Sequence, residues 1–122
     1  MTDRELLELA AKAADIAIEY RAASRSNIGS SLTKFVVTAW HGPFLGGTDV
    51  SWNPLTDDGD AFRLANALHL TVYHAELAVV VKHKQYSWEW MGEGVNEDTG
   101  DRNASARRII TRAAAEIGRS MP

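Results

Sequence analysis

The stretch from residue 52 to residue 68 constrains the fold of this chain more than any other segment. It opens with Trp52 and a turn at Pro54, and a cluster of aspartates follows. Asp57 occupies the N-cap place of a helix, and Asp60 occupies the reciprocal capping place three residues later. The stretch therefore predicts a turn that leads into a helix over 57–68, with both aspartates as structural caps. Apolar residues at helical spacing predict its buried stripe: Ala61, Leu64, Ala65 and Leu68.

Two further helices and about four strands are predicted from the spacing of apolar residues. Helical periodicity covers residues 3–15 and about 104–118. Strands are expected at 16–21, 33–40, 70–83 (one strand or a hairpin) and 85–90, with brief pairing at 49–52 and a polar loop over 92–101. Because helices and strands do not alternate regularly, the pattern predicts an α+β fold. We expect one domain over residues 1–122, an antiparallel sheet of about four strands packed with three helices as an α-β-α sandwich.

Composition places the chain among ordinary globular proteins and removes several function classes. Its 122 residues suit one domain, and the absence of cysteine excludes thiolate catalysis, disulfides and cysteine-bound zinc. The net charge of −3 predicts no general nucleic-acid binding. Because the N-terminus does not resemble a secretory signal and no apolar run reaches about 20 residues, we expect no membrane association and a cytoplasmic location.

The sequence contains no recognisable catalytic constellation, metal site or cofactor motif. The aspartates at 57, 58 and 60 lack the spread of oxygen ligands and the late glutamate of a calcium loop, so helix capping is favoured over a metal site. The histidines lack metal-ligand spacing, and we interpret them as surface or half-buried residues, with one general base among them left as an alternative. They are His41, His69, His74 and His83. We therefore predict no catalytic residue, no metal and no cofactor.

Two groups of side chains are candidates for binding a partner or a ligand. The first is an aromatic group that alternates along a predicted strand and so shares one face: Tyr86, Trp88 and Trp90. These rings either fill the core beneath a helix or anchor a protein partner or stacked bases. The second is a cationic group on the last helix: Arg107, Arg108 and Arg112. These arginines form either a solvated face or, for the last two, a clamp for a phosphate or carboxylate.

Three segments carry a resemblance to a known family: residues 52–61 with Leu64 and Leu68, residues 6–14, and residues 106–118. Together they resemble small uncharacterised phage and prophage proteins similar to the phage α-β-α (ABA) sandwich domain family. Phe62 and Asn66 depart from that pattern, which has an aliphatic residue and a small or basic residue at these positions. The resemblance implies a phage origin and a helix–sheet–helix sandwich, and it implies no catalytic residue.

The resemblance, the small size and the lack of a catalytic constellation predict a non-catalytic phage accessory protein. Its expected partner is a host protein or protein complex in the host cytoplasm, bound to block a defence system in the manner of an anti-CRISPR inhibitor. Membrane binding and direct nucleic-acid binding are not expected, and a homodimer is compatible with the sequence. Two alternatives stay open: sequestration of a small anionic nucleotide signal by Arg108 and Arg112 at a dimer pocket, and a small hydrolase that pairs a strand histidine with a carboxylate.

Overall fold

The structure is a computed structural model that describes residues 2–22, 33–40, 50–83, 85, 91–94 and 101–122. Within these residues the chain forms three α-helices and six β-strands. In chain order they are α1 Asp3–Ala13, β1 Ile16–Ala22, β2 Thr33–Trp40, β3 Val50–Ser51, α2 Asp58–Ala67, β4 Thr71–His74, β5 Ala78–Lys82, β6 Met91–Gly94 and α3 Arg102–Ser120. The predicted α+β class and all three predicted helices are confirmed.

The described strands form two antiparallel sheets, each of three strands, instead of the single sheet of about four strands that we predicted. One sheet has the order β1-β2-β3 and the other has the order β4-β5-β6. In the first sheet, Ile16 lies opposite Trp40, and the register shifts between Ala17 and Ile18. In the second sheet, Thr71 lies opposite Lys82 because the run over 70–83 folds back as a hairpin.

Two of the described strands carry little side-chain signal, and the first of them lies where brief pairing was predicted, within 49–52. β3 has only two residues, and it pairs with Val36 and Val37 of β2. β6 contains Gly92 and Gly94 within the segment that we predicted to be a polar loop, yet its backbone pairs with β5. The Ser105 hydroxyl donates a hydrogen bond to the Gly94 carbonyl at 3.1 Å and so links β6 to α3. Ladder pairing uses backbone groups, so a strand can form without an alternating pattern of side chains.

Each helix begins at a side-chain cap, and the starts of α1 and α2 were predicted to within one residue. The Thr2 hydroxyl accepts a hydrogen bond from the Glu5 N–H, and the Asp57 carboxylate accepts one from the Asp60 N–H. The Asp101 carboxylate does the same for the Ala104 N–H. Such bonds satisfy N–H groups that have no partner inside the helix. The cap at residue 101 also starts α3 earlier than the predicted residue 104.

Helix α3 is the central element of the fold. It packs against α1, α2, β5 and β6, so it is buried on more than one side. It buries nine residues, which include a serine and a threonine: Ser105, Ile109, Ile110, Thr111, Ala113, Ala114, Ala115, Ile117 and Gly118. The core that forms around it also includes Leu7 and Ala10 of α1, Leu64 of α2 and Val79 of β5. In the predicted α-β-α sandwich a sheet separates the helices, whereas in the structure α3 contacts both α1 and α2 directly.

The contact between α1 and α3 depends on small residues near the end of α3. Gly118 is buried there, and an added Cβ would overlap the Leu9 carbonyl oxygen and lie 2.9 Å from the Leu9 carbonyl carbon. On α1, Ala10 and Ala11 are almost completely buried. The two helix backbones therefore approach each other more closely than larger side chains would allow.

The first residue of α3 holds the turn between β4 and β5. Arg102 donates hydrogen bonds to the carbonyl oxygens of Ala75 and Glu76, both at 2.7 Å, and to that of Ala78 at 3.5 Å. The turn also has its own bond, from the Ala75 N–H to the Ala78 carbonyl at 2.9 Å. One guanidinium group thus fixes the hairpin to the N-terminal end of α3.

Replacing Arg102 with alanine is expected to lower the free energy of unfolding by about 1–2 kcal/mol, because charge-assisted bonds to the turn carbonyls are lost. Arg102→Lys should recover only part of this, since an ammonium group cannot present a planar fork to neighbouring carbonyls. Urea unfolding measures both values, and amide hydrogen exchange at Ala75, whose N–H bonds to the Ala78 carbonyl, reports whether the turn opens. Arg119→Ala, at a side chain that is 64% exposed, should change stability by less than about 0.5 kcal/mol. Equal losses at the two arginines would contradict the proposed anchoring.

Candidate functional site

An open groove of about 680 Å³ lies between α2, α3 and β4. Helix α2 contributes Asp58, Gly59, Ala61, Phe62, Ala65 and Asn66, and α3 contributes Asn103, Ala106, Arg107 and Ile110. The remaining lining residues are Leu70, Val72 and His74. On each helix the spacing of three, four and seven residues places these side chains on one face. Val72 and His74 are two apart on β4, so they share the face that closes the groove.

The groove is mainly apolar, and small residues provide its room. Ala61, Ala65 and Ala106 line it where larger residues would fill the space between the helices. Phe62 stands at the same site with 68% of its surface exposed. Apolar surface in a concave site of this volume is typical of ligand and partner sites. An exposed phenylalanine beside it adds apolar area that a partner can cover.

The two residues of formal charge that line the groove are paired with each other. The Arg107 guanidinium donates through Nη1 to the Asp58 carboxylate and through Nε to the Leu55 carbonyl at 3.0 Å. The Arg107 side chain is only 18% exposed, whereas that of Asp58 is 67% exposed. Arg107 therefore connects α3 to the start of α2, and the prediction that it lies on a solvated cationic face is wrong.

The other predicted arginines do not line the groove. One Arg108 nitrogen lies 3.8 Å from an Asp3 carboxylate oxygen of α1, with 47% of the arginine side chain exposed. Arg112 is half-buried on α3. The anion clamp formed by Arg108 and Arg112 stays a prediction. Neither residue is among those that line the groove.

The predicted aromatic group lies outside the described residues. Tyr86, Trp88 and Trp90 all fall within 86–90, which the structure does not describe. The aromatic residue at the groove is Phe62, which sequence reasoning did not select. The sequence held one signal for it, because Phe62 lies on α2 outside the predicted buried stripe, as Asn66 does, and both line the groove. Four residues apart on one helix, they lie on the same face.

The aspartate cluster at the start of α2 is bonded to protein groups. Asp57 caps the helix through the Asp60 N–H at 2.8 Å. Asp60 does not complete the predicted capping box, because the Asp57 N–H bonds to the Asn53 carbonyl at 2.9 Å. The buried Asp60 carboxylate instead accepts from the Asn53 N–H at 2.9 Å and from Arg63 at 2.6 Å. The proline turn explains this, since it folds residue 53 back onto the first turn of the helix.

The described residues contain no group of three or more His, Asp or Glu side chains that is arranged to hold a metal ion. Among the histidines, His74 is exposed at the groove and His83 is buried. The His83 Nδ1 accepts a hydrogen bond from the Gln85 N–H at 3.1 Å. His69 follows α2 with a φ of 53°, and His41 lies outside the described residues. The structure therefore does not gather the three described histidines into one site.

In the part of the chain that the structure describes, no helix combines the length and the apolarity needed to cross a bilayer. No protein-family model, curated protein or solved structure matches the chain. The resemblance to the phage sandwich family stays a prediction that depends on the three segments carrying it.

Proposed function

We propose that this chain is a non-catalytic phage accessory protein that binds a host protein through the groove between α2, α3 and β4. In line with the family resemblance, the bound host protein belongs to a defence system, and binding blocks it. The complex forms in the host cytoplasm. The observation that carries the binding proposal is the exposed Phe62 beside an open apolar groove.

The physical argument starts from the cost of exposed apolar surface. Covering a side chain the size of phenylalanine contributes about 1.5–3 kcal/mol. Interfaces concentrate their affinity in a few aromatic or large residues next to a pocket, with polar residues around them. The groove has this composition, because Phe62 lies among small apolar residues, with Asn66 and Asn103 exposed along the lining.

The groove favours this proposal over the two alternatives. A nucleotide signal needs cationic groups that are available to its phosphates. The arginines predicted to bind it, Arg108 and Arg112, do not line the groove. The arginine that does line it is committed to Asp58 and to the Leu55 carbonyl. A hydrolase needs a histidine and a carboxylate within hydrogen-bond reach. The carboxylate that shares the groove with His74 belongs to Asp58, which is bonded to Arg107.

Phe62→Asp is expected to abolish binding of the host partner while leaving the fold intact. The substitution replaces an exposed apolar ring with a charge at the groove, so the amount of identified partner retained from a bacterial lysate should fall by about tenfold or more. The measurement is affinity capture at moderate salt followed by quantitative mass spectrometry. Thermal unfolding of the variant should stay close to that of the wild type, because the side chain is exposed.

Leu77→Asp is the matched control for this experiment. Leu77 is 63% exposed, close to the 68% of Phe62, and it lies in the β4–β5 turn outside the groove lining. Partner capture should therefore survive Leu77→Asp. Capture that is equally sensitive or equally insensitive to both substitutions would remove the groove from the proposal. The absence of any reproducible partner would contradict host-protein binding itself.

A further inference from the structure

We infer that the groove accepts an uncharged, apolar segment of the partner and discriminates against charged side chains. This inference rests on the proposed function, since it names the chemistry of the segment that the same site takes. Three features of the groove carry it: its size, its charges and the polar groups along its lining.

The dimensions fit a short segment better than a single ring or a long helix. A cavity of about 150 Å³ holds one benzene molecule, and the groove offers about 680 Å³. Its lining on α2 runs from Asp58 to Asn66, which is about 12 Å at 1.5 Å per residue. Within that length and volume, roughly two or three large aliphatic or aromatic side chains fit.

The charges of the groove select against an ionic segment. Asp58 and Arg107 neutralise each other across the lining. A lysine or glutamate side chain that enters would lose hydration without gaining an unpaired counter-charge there, and such desolvation is costly. An aliphatic or aromatic side chain loses only unfavourable contact with water. Charge complementarity therefore points to a neutral apolar occupant.

The exposed amides supply the polar contacts that such a segment needs. Asn66 and Asn103 are exposed lining residues on opposite helices, and each side-chain amide offers both a donor and an acceptor. An apolar peptide segment still carries backbone N–H and C=O groups that require partners when water is displaced. The two amides are placed to receive them at the edges of an apolar floor.

Capped amino acids test this selectivity directly, because they present single side chains of defined charge to the groove. The probes are the N-acetyl amides of leucine, phenylalanine, lysine and glutamate, titrated into the isotope-labelled full chain and followed by NMR. The leucine and phenylalanine probes should shift amides of α2, α3 and β4 that line the groove, and should bind about tenfold more tightly than the charged probes. Phe62→Asp should weaken the apolar probes by a similar factor, whereas Leu77→Asp should leave their affinity unchanged.

Equal binding of charged and apolar probes at the groove, or apolar binding that maps elsewhere, would overturn the inference. Its failure is distinguishable from failure of the proposed function. A partner captured in a Phe62-dependent manner together with unselective probes would refute only the inferred chemistry. Selective probes without any captured partner would support the groove chemistry and refute only the host-protein proposal.

Discussion

Replacing Gly118 with alanine is expected to destabilise the protein by about 3 kcal/mol, although alanine is the better helix former. In an isolated helix the same change would contribute about 1 kcal/mol of stability. Here the new methyl group would overlap the Leu9 carbonyl oxygen of α1. The obstacle is backbone, so a side-chain rotation cannot relieve it. The two helices must move apart, and that movement loosens contacts along the buried faces of α1 and α3.

Urea unfolding of the wild type and of Gly118→Ala measures this effect directly. Gly94→Ala is the matched control, because a Cβ at that position meets no atom within 4 Å. The control should change the free energy of unfolding by less than about 0.5 kcal/mol. If the Gly118 variant does not fold, the comparison is made by refolding yield. The Gly118 variant should then fail to refold under conditions in which the control refolds as well as the wild type. A Gly118 variant as stable as the wild type would show that α1 and α3 do not cross this closely.

The helices of this fold were predictable because their signals are local. The caps at Thr2 and Asp57 and the apolar spacing of each helix lie within a few residues of the structure that they specify. The strand at Thr33–Trp40 was predicted with its observed bounds, since β-branched and aromatic residues dominate it. These elements required no information about distant parts of the chain.

The assembly of the elements was less predictable because it depends on long-range contacts. Nothing local distinguishes one sheet of four strands from two sheets of three, since pairing partners are set by tertiary packing. The burial of a helix packed on several sides is also hard to predict from sequence when some of its buried residues are polar. Thr111 of α3 is fully buried, and its hydroxyl donates a hydrogen bond to the Arg107 carbonyl at 2.8 Å, one turn earlier in the same helix. A hydroxyl bonded within its own helix can be buried without a tertiary partner.

The groove itself could not be predicted from periodicity. It exists because α2, α3 and β4 meet around small residues, and each of those residues alone is unremarkable in its own helix. The charged members were also misleading, since Arg107 suggests a surface cation until its pairing with Asp58 is seen. The useful signal was a large apolar residue outside the buried stripe of α2, at Phe62, which is 68% exposed.

The three aspartates at the start of α2 are expected to differ sharply in their contribution to stability. Asp60→Ala should lower the free energy of unfolding by about 2–3 kcal/mol, because the buried carboxylate serves both the Asn53 N–H and Arg63. This loss is smaller than is usual for breaking a fully buried ion pair, because the Arg63 side chain is 36% exposed and water can solvate it once the carboxylate is removed. Asp57→Ala removes a cap, and Asp58→Ala removes an ion pair whose acid is 67% exposed. Each of these should cost at most about 1 kcal/mol.

Chemical unfolding of the three variants under one set of conditions gives the ranking. Asp60→Asn separates charge from shape, because it keeps the volume but leaves only one carbonyl oxygen for two donors, so most of the loss should remain. A metal site would give a different pattern: all three substitutions would lower stability in the presence of calcium or magnesium and have smaller effects without it. The structural account requires the opposite, a dominant effect at Asp60 that millimolar divalent cations do not alter. Equal effects at positions 57, 58 and 60 would show that the cluster acts as a unit, and the description of the proline turn and its buried carboxylate would have to be abandoned.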